Sequence, residues 1–301
     1  NFQIEDYVDN SQTISSKTTF LSGSYSKKIS NIEFSIKTEN FIFGDNESNS
    51  FRSIARLNLK KDNYLIFEYN QHSVAPNYNT LMYRSNYENY NWDNQFDNSL
   101  VNSISFTLEL NKIFDLGVDL INIEKHIQFE KIFDDNQGES TDFSIVPIQY
   151  SNDLKLLKIK LMRKIKLGKF ALDSKLLLQK SFSNNVINLP EIVSRNTLYY
   201  STDMFNKALY LQTGFGVKYF SGFYMNGYDP LLSELYMQNE KEIGDFPIID
   251  FFINAKIQQT RLYFKFEHFN SSFTGYNYYS APNYPYRDFS FRFGLVWNFF
   301  M

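Results

Sequence analysis

The chain has no cysteine among its 301 residues, which excludes disulfide staples and thiolate metal sites. Histidine is almost as scarce: His72, His126 and His268 are the only three and lie far apart, whereas a metal centre needs clustered ligands. No apolar run reaches the roughly 18 residues that a membrane-spanning helix requires. Mean hydropathy is only -0.39. Those absences leave a membrane β-barrel open, because alternating strands average out in any hydropathy window. Basic excess is missing too: 30 Lys and Arg face 33 Asp and Glu, and the net charge of -3 argues against nucleic acid as a partner. No glycine-rich phosphate loop is present, and Gly214 and Gly216 are the closest pair among the 12 glycines, with Gly222 a little further on. A fixed-period repeat is absent, which disfavours a propeller. Asn1 opens the chain without an initiator Met or a signal-peptide pattern, so it reads as a mature protein or a fragment. Nothing here calls for a cofactor.

What the chain does have is aromatic side chains: 31 Phe and 22 Tyr supply most of an 18% aromatic content. Such enrichment suits strands, and suits the aromatic girdles of a membrane barrel in particular. The C-terminal stretch shows the pattern most clearly. Phe289, Phe291, Phe293, Leu295, Trp297 and Phe299 fall on one face of a period-two strand, with Ser290, Arg292, Gly294, Val296 and Asn298 on the other. In a barrel the first row meets lipid and the second meets the interior. Terminal aromatics (Phe293, Trp297, Phe299 and Phe300) also form the kind of signal at which barrel assembly machinery docks.

The same alternation recurs along the chain. Ile32, Phe34 and Ile36 alternate with Glu33, Ser35 and Lys37, and Ile104, Phe106, Leu108 and Leu110 with Ser105, Thr107 and Glu109. Leu157, Ile159 and Leu161 alternate with Lys158, Lys160 and Met162, and Leu262, Phe264 and Phe266 with Arg261, Tyr263, Lys265 and Glu267. These patterns predict half-buried antiparallel strands. Short turns such as Leu167-Gly168-Lys169 contrast with longer segments rich in Tyr, Asn and Asp at 72–100, 134–143, 183–197, 224–247 and 270–288. Short turns at one end and long loops at the other is the layout of a bacterial barrel. At roughly 20 to 25 residues per strand and loop, one domain over 1–301 holds about 12 to 14 strands. Residues 114–150 are ambiguous, with Ile121 to Phe133 reading as a bent strand or a loop. The stretch Thr18 to Ser24 is weak for a first strand, so the seam lies there or upstream of Asn1.

A soluble sandwich would show the same alternation. Three features favour an all-β, antiparallel transmembrane barrel instead. The apolar rows are uniformly large, whereas a small closed barrel needs mixed sizes inside. The opposite rows mix charge with glycine, which a water-filled lumen tolerates. The last strand also needs a neighbour to protect its edge.

The candidate pore-lining residues are Arg56, Lys158, Lys160, Lys218, Asp250, Lys256, Arg261, Lys265, Glu267 and Arg292, with Glu109 as a further acid. Their basic excess would favour anionic solutes in a narrow pore, unless the charges only form salt bridges in the wall. Gly214 and Gly216 are expected on the same face, where a bulky group packs against the wall. Tyr276, Tyr278, Tyr279 and Tyr284 belong to an extracellular loop suited to sugar or protein contacts, or to an interface girdle. His72 with Ser73 and His268 with Ser271 are the only starting points for a hydrolase, and neither sits in a nucleophile motif. His268 reads as an interfacial polar residue.

Residues Leu189 to Met301 carry an ordered series of motifs. They include Leu189-Pro190-Glu191, Leu209 to Tyr219 (LYLQTGFGVKY), Tyr228-Asp229-Pro230, Tyr236-Met237-Gln238-Asn239-Glu240 and Ile243-Gly244-Asp245-Phe246-Pro247. Asp250-Phe251-Phe252, Tyr278 to Pro285 (YYSAPNYP) and Arg292 to Phe299 follow. In order and spacing they resemble a putative porin family of Bacteroidota outer membranes. Members of that family extend further on the N-terminal side, so the resemblance implies the C-terminal portion of a longer barrel. It also implies a Gram-negative outer membrane and a passive channel for small polar solutes. Outer-membrane lipid, the assembly machinery and those solutes are then the partners. The alternative is a plugged, structural or docking barrel within a larger outer-membrane complex, and the inward bulk of Phe220, Phe252 and Tyr263 favours it. An enzyme lacks a catalytic constellation.

Overall fold

The structure, a computed structural model, describes residues 17–44, 47–59, 62–87, 90–111, 113–133, 143–183, 186–273 and 278–299. Period-two sequence becomes one 13-stranded sheet in which chain neighbours are sheet neighbours. Its strands are β1 (Thr18–Ile29), β2 (Ile32–Gly44), β3 (Ser50–Asn58), β4 (Tyr64–Val74), β5 (Ser99–Leu110), β6 (Phe114–Glu124) and β7 (Leu154–Leu167). There follow β8 (Phe170–Ser181), β9 (Ile192–Met204), β10 (Leu209–Phe220), β11 (Ile248–Ile257), β12 (Thr260–Glu267) and β13 (Ser290–Trp297). The count falls inside the expected range. All neighbours are antiparallel, so β1 and β13 point the same way, and among the described residues these two edges do not pair with each other.

The two kinds of connection are sorted by end. Tight turns join β1 to β2, β7 to β8, β9 to β10 and β11 to β12. Long connections leave the other end after β4, β6, β8, β10 and β12. The weak stretch Thr18 to Ser24 does form a strand, paired with β2 from Thr18↔Gly44 to Ile29↔Ile32 with a shift of register between Thr19 and Phe20. The segment 183–197 needs correction, because β9 already begins at Ile192. Its outward row of Ser194, Asn196 and Tyr200 is too polar to show the contrast that marks the other strands. The ambiguous region is a strand that breaks. Lys125, at φ 55, takes a left-handed conformation that ends β6 and turns the chain out of the sheet. Ile127–Phe133 then pairs with Phe143–Gln149 as a separate hairpin.

Apolar side chains of the main sheet remain at the surface, among them Phe67, Leu120, Leu198, Phe264, Phe293 and Leu295. Phe293 is 72% exposed. A water-soluble sheet would cover such a row with a second layer. Burial occurs instead among the long connections. Trp92, Phe129, Ile145 and Leu232 form one cluster, joined by Tyr83, Tyr90 and Tyr236. A second cluster sets Val186, Ile187 and Leu189 against Leu154, Leu156, Ile121 and Ile123.

Candidate functional site

Register settles which side chains share a face. The pairs Lys256↔Arg261 and Lys256↔Tyr210 link β10, β11 and β12, and Gly214↔Tyr199 extends the row to β9. Arg195↔Lys218 and Lys175↔Arg195 carry it to β8. Further pairs reach Lys160 on β7 and Arg56 on β3 through Gly117, Thr107 and Ile66. Arg56, Lys158, Lys160, Lys218, Asp250, Lys256, Arg261, Lys265, Glu267 and Arg292 therefore stand on one face, with Glu109. Phe215, Phe251, Phe264, Phe291 and Phe293 stand on the other.

At the loop end of this face the charges form a ladder across β10 to β13. Buried Asp250 receives Lys218 Nζ at 3.3 Å, Lys265 Nζ at 3.1 Å and the His268 backbone N–H at 3.0 Å. Glu267 receives Lys265 Nζ at 2.8 Å and Arg292 Nε at 2.9 Å. Alternating acid and base on adjacent strands satisfies each carboxylate from two sides. Elsewhere Lys160 Nζ meets Asp119 at 2.9 Å and Arg52 Nε meets Glu68 at 2.7 Å. The acids Glu68, Asp115, Asp119 and Asp173 add to those expected on this face, as do the bases Lys175 and Arg195. Arg195 was missed because its strand was assigned to a loop. Asp115 and Asp119 were missed because their strand lay in the ambiguous region, although Asp115, Gly117, Asp119 and Ile121 do alternate with Leu116, Val118 and Leu120.

The two expected glycines behave differently. A Cβ on Gly214 would lie 2.2 Å from the Leu198 carbonyl oxygen and 2.6 Å from Tyr199 Cα, so only hydrogen fits against that backbone. Gly216 has open space before it. The wall-packing expectation thus holds for Gly214 and fails for Gly216. Gly294 supplies an unforeseen case, since a Cβ there would sit 2.3 Å from the Tyr263 ring.

The second buried cluster shows where the connections go. Ile121, Ile123, Leu154 and Leu156 lie on the charged face by register, yet Val186, Ile187 and Leu189 cover them. This connection folds over the charged face. Asn188 Nδ2 continues the cover by donating to the Gln238 carbonyl at 3.0 Å. The connections after β4 and β10 meet as well: Tyr90 Oη donates to Asp229 Oδ2 at 2.9 Å and Tyr83 Oη to the Leu231 carbonyl at 3.2 Å. Lys131 and Glu240 join the connections after β6 and β10. The visible sequence signal was a lapse in alternation, with apolar Leu154 and Leu156 standing where Lys158 and Lys160 continue the row.

Among these outer groups, burial and then the Asp229 hydrogen bond push Tyr90 up to about 12. Burial lowers His126, partly offset by its hydrogen bond with Gln128. His268 corrects the interfacial expectation, being fully buried with its ring edge-on to Tyr278 and Tyr286. Its Nδ1 faces the Arg287 carbonyl at 2.8 Å, so Nδ1 carries the hydrogen. Ser271 Oγ accepts the Phe289 N–H at 3.2 Å. His72 and Ser73 project to opposite faces of β4 and cannot meet. Neither pair is a nucleophile with its base. The described residues contain no His, Asp and Glu group suited to a metal.

Tyr278 is buried against Phe246, Tyr279 lies under Lys241 Nζ at 3.9 Å, and Tyr284 is exposed. On the last strand Phe293, Trp297 and Phe299 are exposed, and Trp297 stacks with Phe299 at 4.6 Å. Tyr276 and Phe300 lie outside the described residues.

One broad antiparallel meander with a charged face, an exposed apolar face and loops gathered at one end defines a barrel-like all-β protein. No described helix is long and apolar enough to cross a membrane, which says nothing of strands. The chain belongs to the family described as "Putative porin", whose model matches residues 1–301. The likeness thus reaches well beyond Leu189 to Met301. No curated protein gives a significant match.

Proposed function

We propose that the sheet closes in a Gram-negative outer membrane as a porin-like channel for small polar solutes, with the charged face as its lumen. One observation carries this reading: register places most ionic side chains of the thirteen strands on one face, with Lys27, Glu124, Lys155, Arg163 and Lys180 as exceptions, while the Phe and Leu row opposite stays exposed. Lipid satisfies the second row and water the first. Lys175, Arg195, Lys256 and Arg261 have no carboxylate within ion-pair distance among the described residues, and neither do Glu109, Asp115 and Asp173 have a base; the anion preference therefore rests on Lys256 and Arg261, beside which Asp250 and Glu267 are already paired. The exposed aromatics of β13 suit recognition by the assembly machinery.

Conductance in planar bilayers tests the reading. The wild-type protein is expected to pass current with an anion-selective reversal potential in a salt gradient, and Lys256→Glu with Arg261→Glu to shift it toward cations. Absence of conductance from correctly folded protein overturns the channel, and cation selectivity in the wild type overturns the anion preference.

A second reading is a plugged, docking barrel within an outer-membrane complex. The connection carrying Val186, Ile187 and Leu189 favours it by folding over the charged face. Liposome swelling separates the two, because a plugged barrel passes no sugar. A stoichiometric co-purifying partner would support the second.

A further inference from the structure

Two cavities of about 420 and 480 Å³ lie against the charged face of β9 to β12. Both are lined by Gln212, Asn254 and Tyr263, so they form one groove that runs with the strands. Its loop end carries Arg195, Lys218 and Lys265, and its turn end Lys256 and Arg261. From Asp250 to Lys256 along β11 the ends are about 20 Å apart.

The middle has a different chemistry. Asn254 Nδ2 and Gln212 Oε1 touch only at 3.4 Å, which leaves both carboxamides with hydrogen-bonding capacity. Tyr199, Phe252 and Tyr263 add aromatic rings to the same wall. Tyr263 is held over Gly294 and remains 43% exposed. The open space before Gly216 keeps the groove deep.

Charge is unevenly spent. Lys218, Lys265 and Arg292 share Asp250 and Glu267, whereas Arg195, Lys256 and Arg261 have no such partner among the described residues. The groove therefore keeps unpaired cations at both ends of a polar, aromatic floor.

We propose that this groove binds an acidic oligosaccharide, a linear sugar chain bearing uronate carboxylates, along the wall of the channel. Carboxamides hydrogen-bond sugar hydroxyls, rings stack on the apolar C–H faces of pyranoses, and the terminal cations receive carboxylates. Length selects an oligomer over a monomer, because only an oligomer reaches both cationic ends. The inference rests on the porin-like reading for the solute's route, but binding itself does not require conduction.

The test is calorimetric titration of the detergent-solubilised whole protein with pentagalacturonate, galacturonate, maltopentaose and ADP. Pentagalacturonate is expected to bind about tenfold more tightly than either galacturonate or maltopentaose. Arg261→Gln and Arg195→Gln should each weaken it severalfold, and Lys169→Gln, in the turn between β7 and β8, should leave it unchanged. Strand content by circular dichroism verifies that each variant is folded. Equal affinity for maltopentaose, tighter binding of ADP, no binding at millimolar pentagalacturonate, or equal loss in Lys169→Gln would each overturn the proposal. Bilayer conductance is read separately: current that pentagalacturonate does not block counts against the groove, and missing current counts against the porin reading alone.

Discussion

The Tyr90 hydroxyl donates to Asp229 Oδ2 at 2.9 Å, tying the connection after β4 to the one after β10. Asp229 Oδ1 meanwhile accepts the backbone N–H groups of Leu231 and Leu232 at 2.8 and 2.9 Å, so this carboxylate organises its own turn as well as the tie. Tyr90→Phe is expected to cost about 1–2 kcal/mol, the worth of one hydrogen bond to a charged acceptor. Asp229→Ala should cost more, because it also strands two backbone donors. Hydrogen exchange over 75–98 and 221–247 measures both effects.

The same tie sets an alkaline limit. Tyr90 in the folded protein titrates at about 12 against an ordinary 10.0. Its contribution to stability is complete below pH 10, and it is lost as pH rises through the folded value, because the unfolded chain releases the proton first. The difference in tyrosinate absorbance between wild type and Tyr90→Phe should appear near the upper value. Titration at the ordinary value would contradict the buried contact.

His126 works in the opposite direction. Burial lowers it from an ordinary 6.5, so the folded form holds the neutral ring. Its contribution is present above pH 6.5 and falls away as pH drops through that value toward the lower folded one. Trp92 lies in the neighbouring cluster with Phe129. Its fluorescence in a Trp297→Phe background should report loosening on acidification, and His126→Gln should flatten the response.

Asp250 and its two lysines differ in what their loss leaves behind. Lys218→Ala removes one partly exposed cation, and Lys265 remains on the acid at 3.1 Å, so the cost should be no more than about 1 kcal/mol. Asp250→Ala leaves Lys218 without a carboxylate and strands the His268 N–H, while Lys265 keeps Glu267, and should cost about 2–3 kcal/mol. Urea unfolding of the protein in lipid vesicles orders the two, and equal costs would refute the ladder.

Gly214 and Gly294 predict opposite responses to alanine. The atoms facing Gly214 are backbone at 2.2 Å, which cannot yield, so Gly214→Ala should cost about 3 kcal/mol or prevent assembly. Those facing Gly294 belong to the movable Tyr263 ring, so Gly294→Ala should assemble while narrowing the groove. Folded yield and single-channel conductance distinguish the two outcomes.

Much of the fold is legible in the sequence. Wherever the two rows differ sharply, as in Leu262 to Glu267 or Phe289 to Asn298, the strands and their faces follow directly. Strands with polar outward rows were obscured, so Arg195 fell into a supposed loop. The inward turn of the connection after β8 was also hidden, since Val186 and Leu189 reveal their role only against Leu154 and Ile121. His268 was misplaced for a similar reason: its burial comes from Tyr278 and Tyr286, which its own connection between β12 and β13 folds back onto it.

By itself, the sequence determined which side chains share a face, because successive Cβ atoms alternate along any strand and need no neighbour to do so. It also separated short turns from long connections. Only the tertiary structure decided which base meets which acid and which part of the charged face the loops cover. Those outcomes depend on register between strands and on contacts between residues more than a hundred positions apart, such as Tyr90 and Asp229. Local alternation carries no information about either.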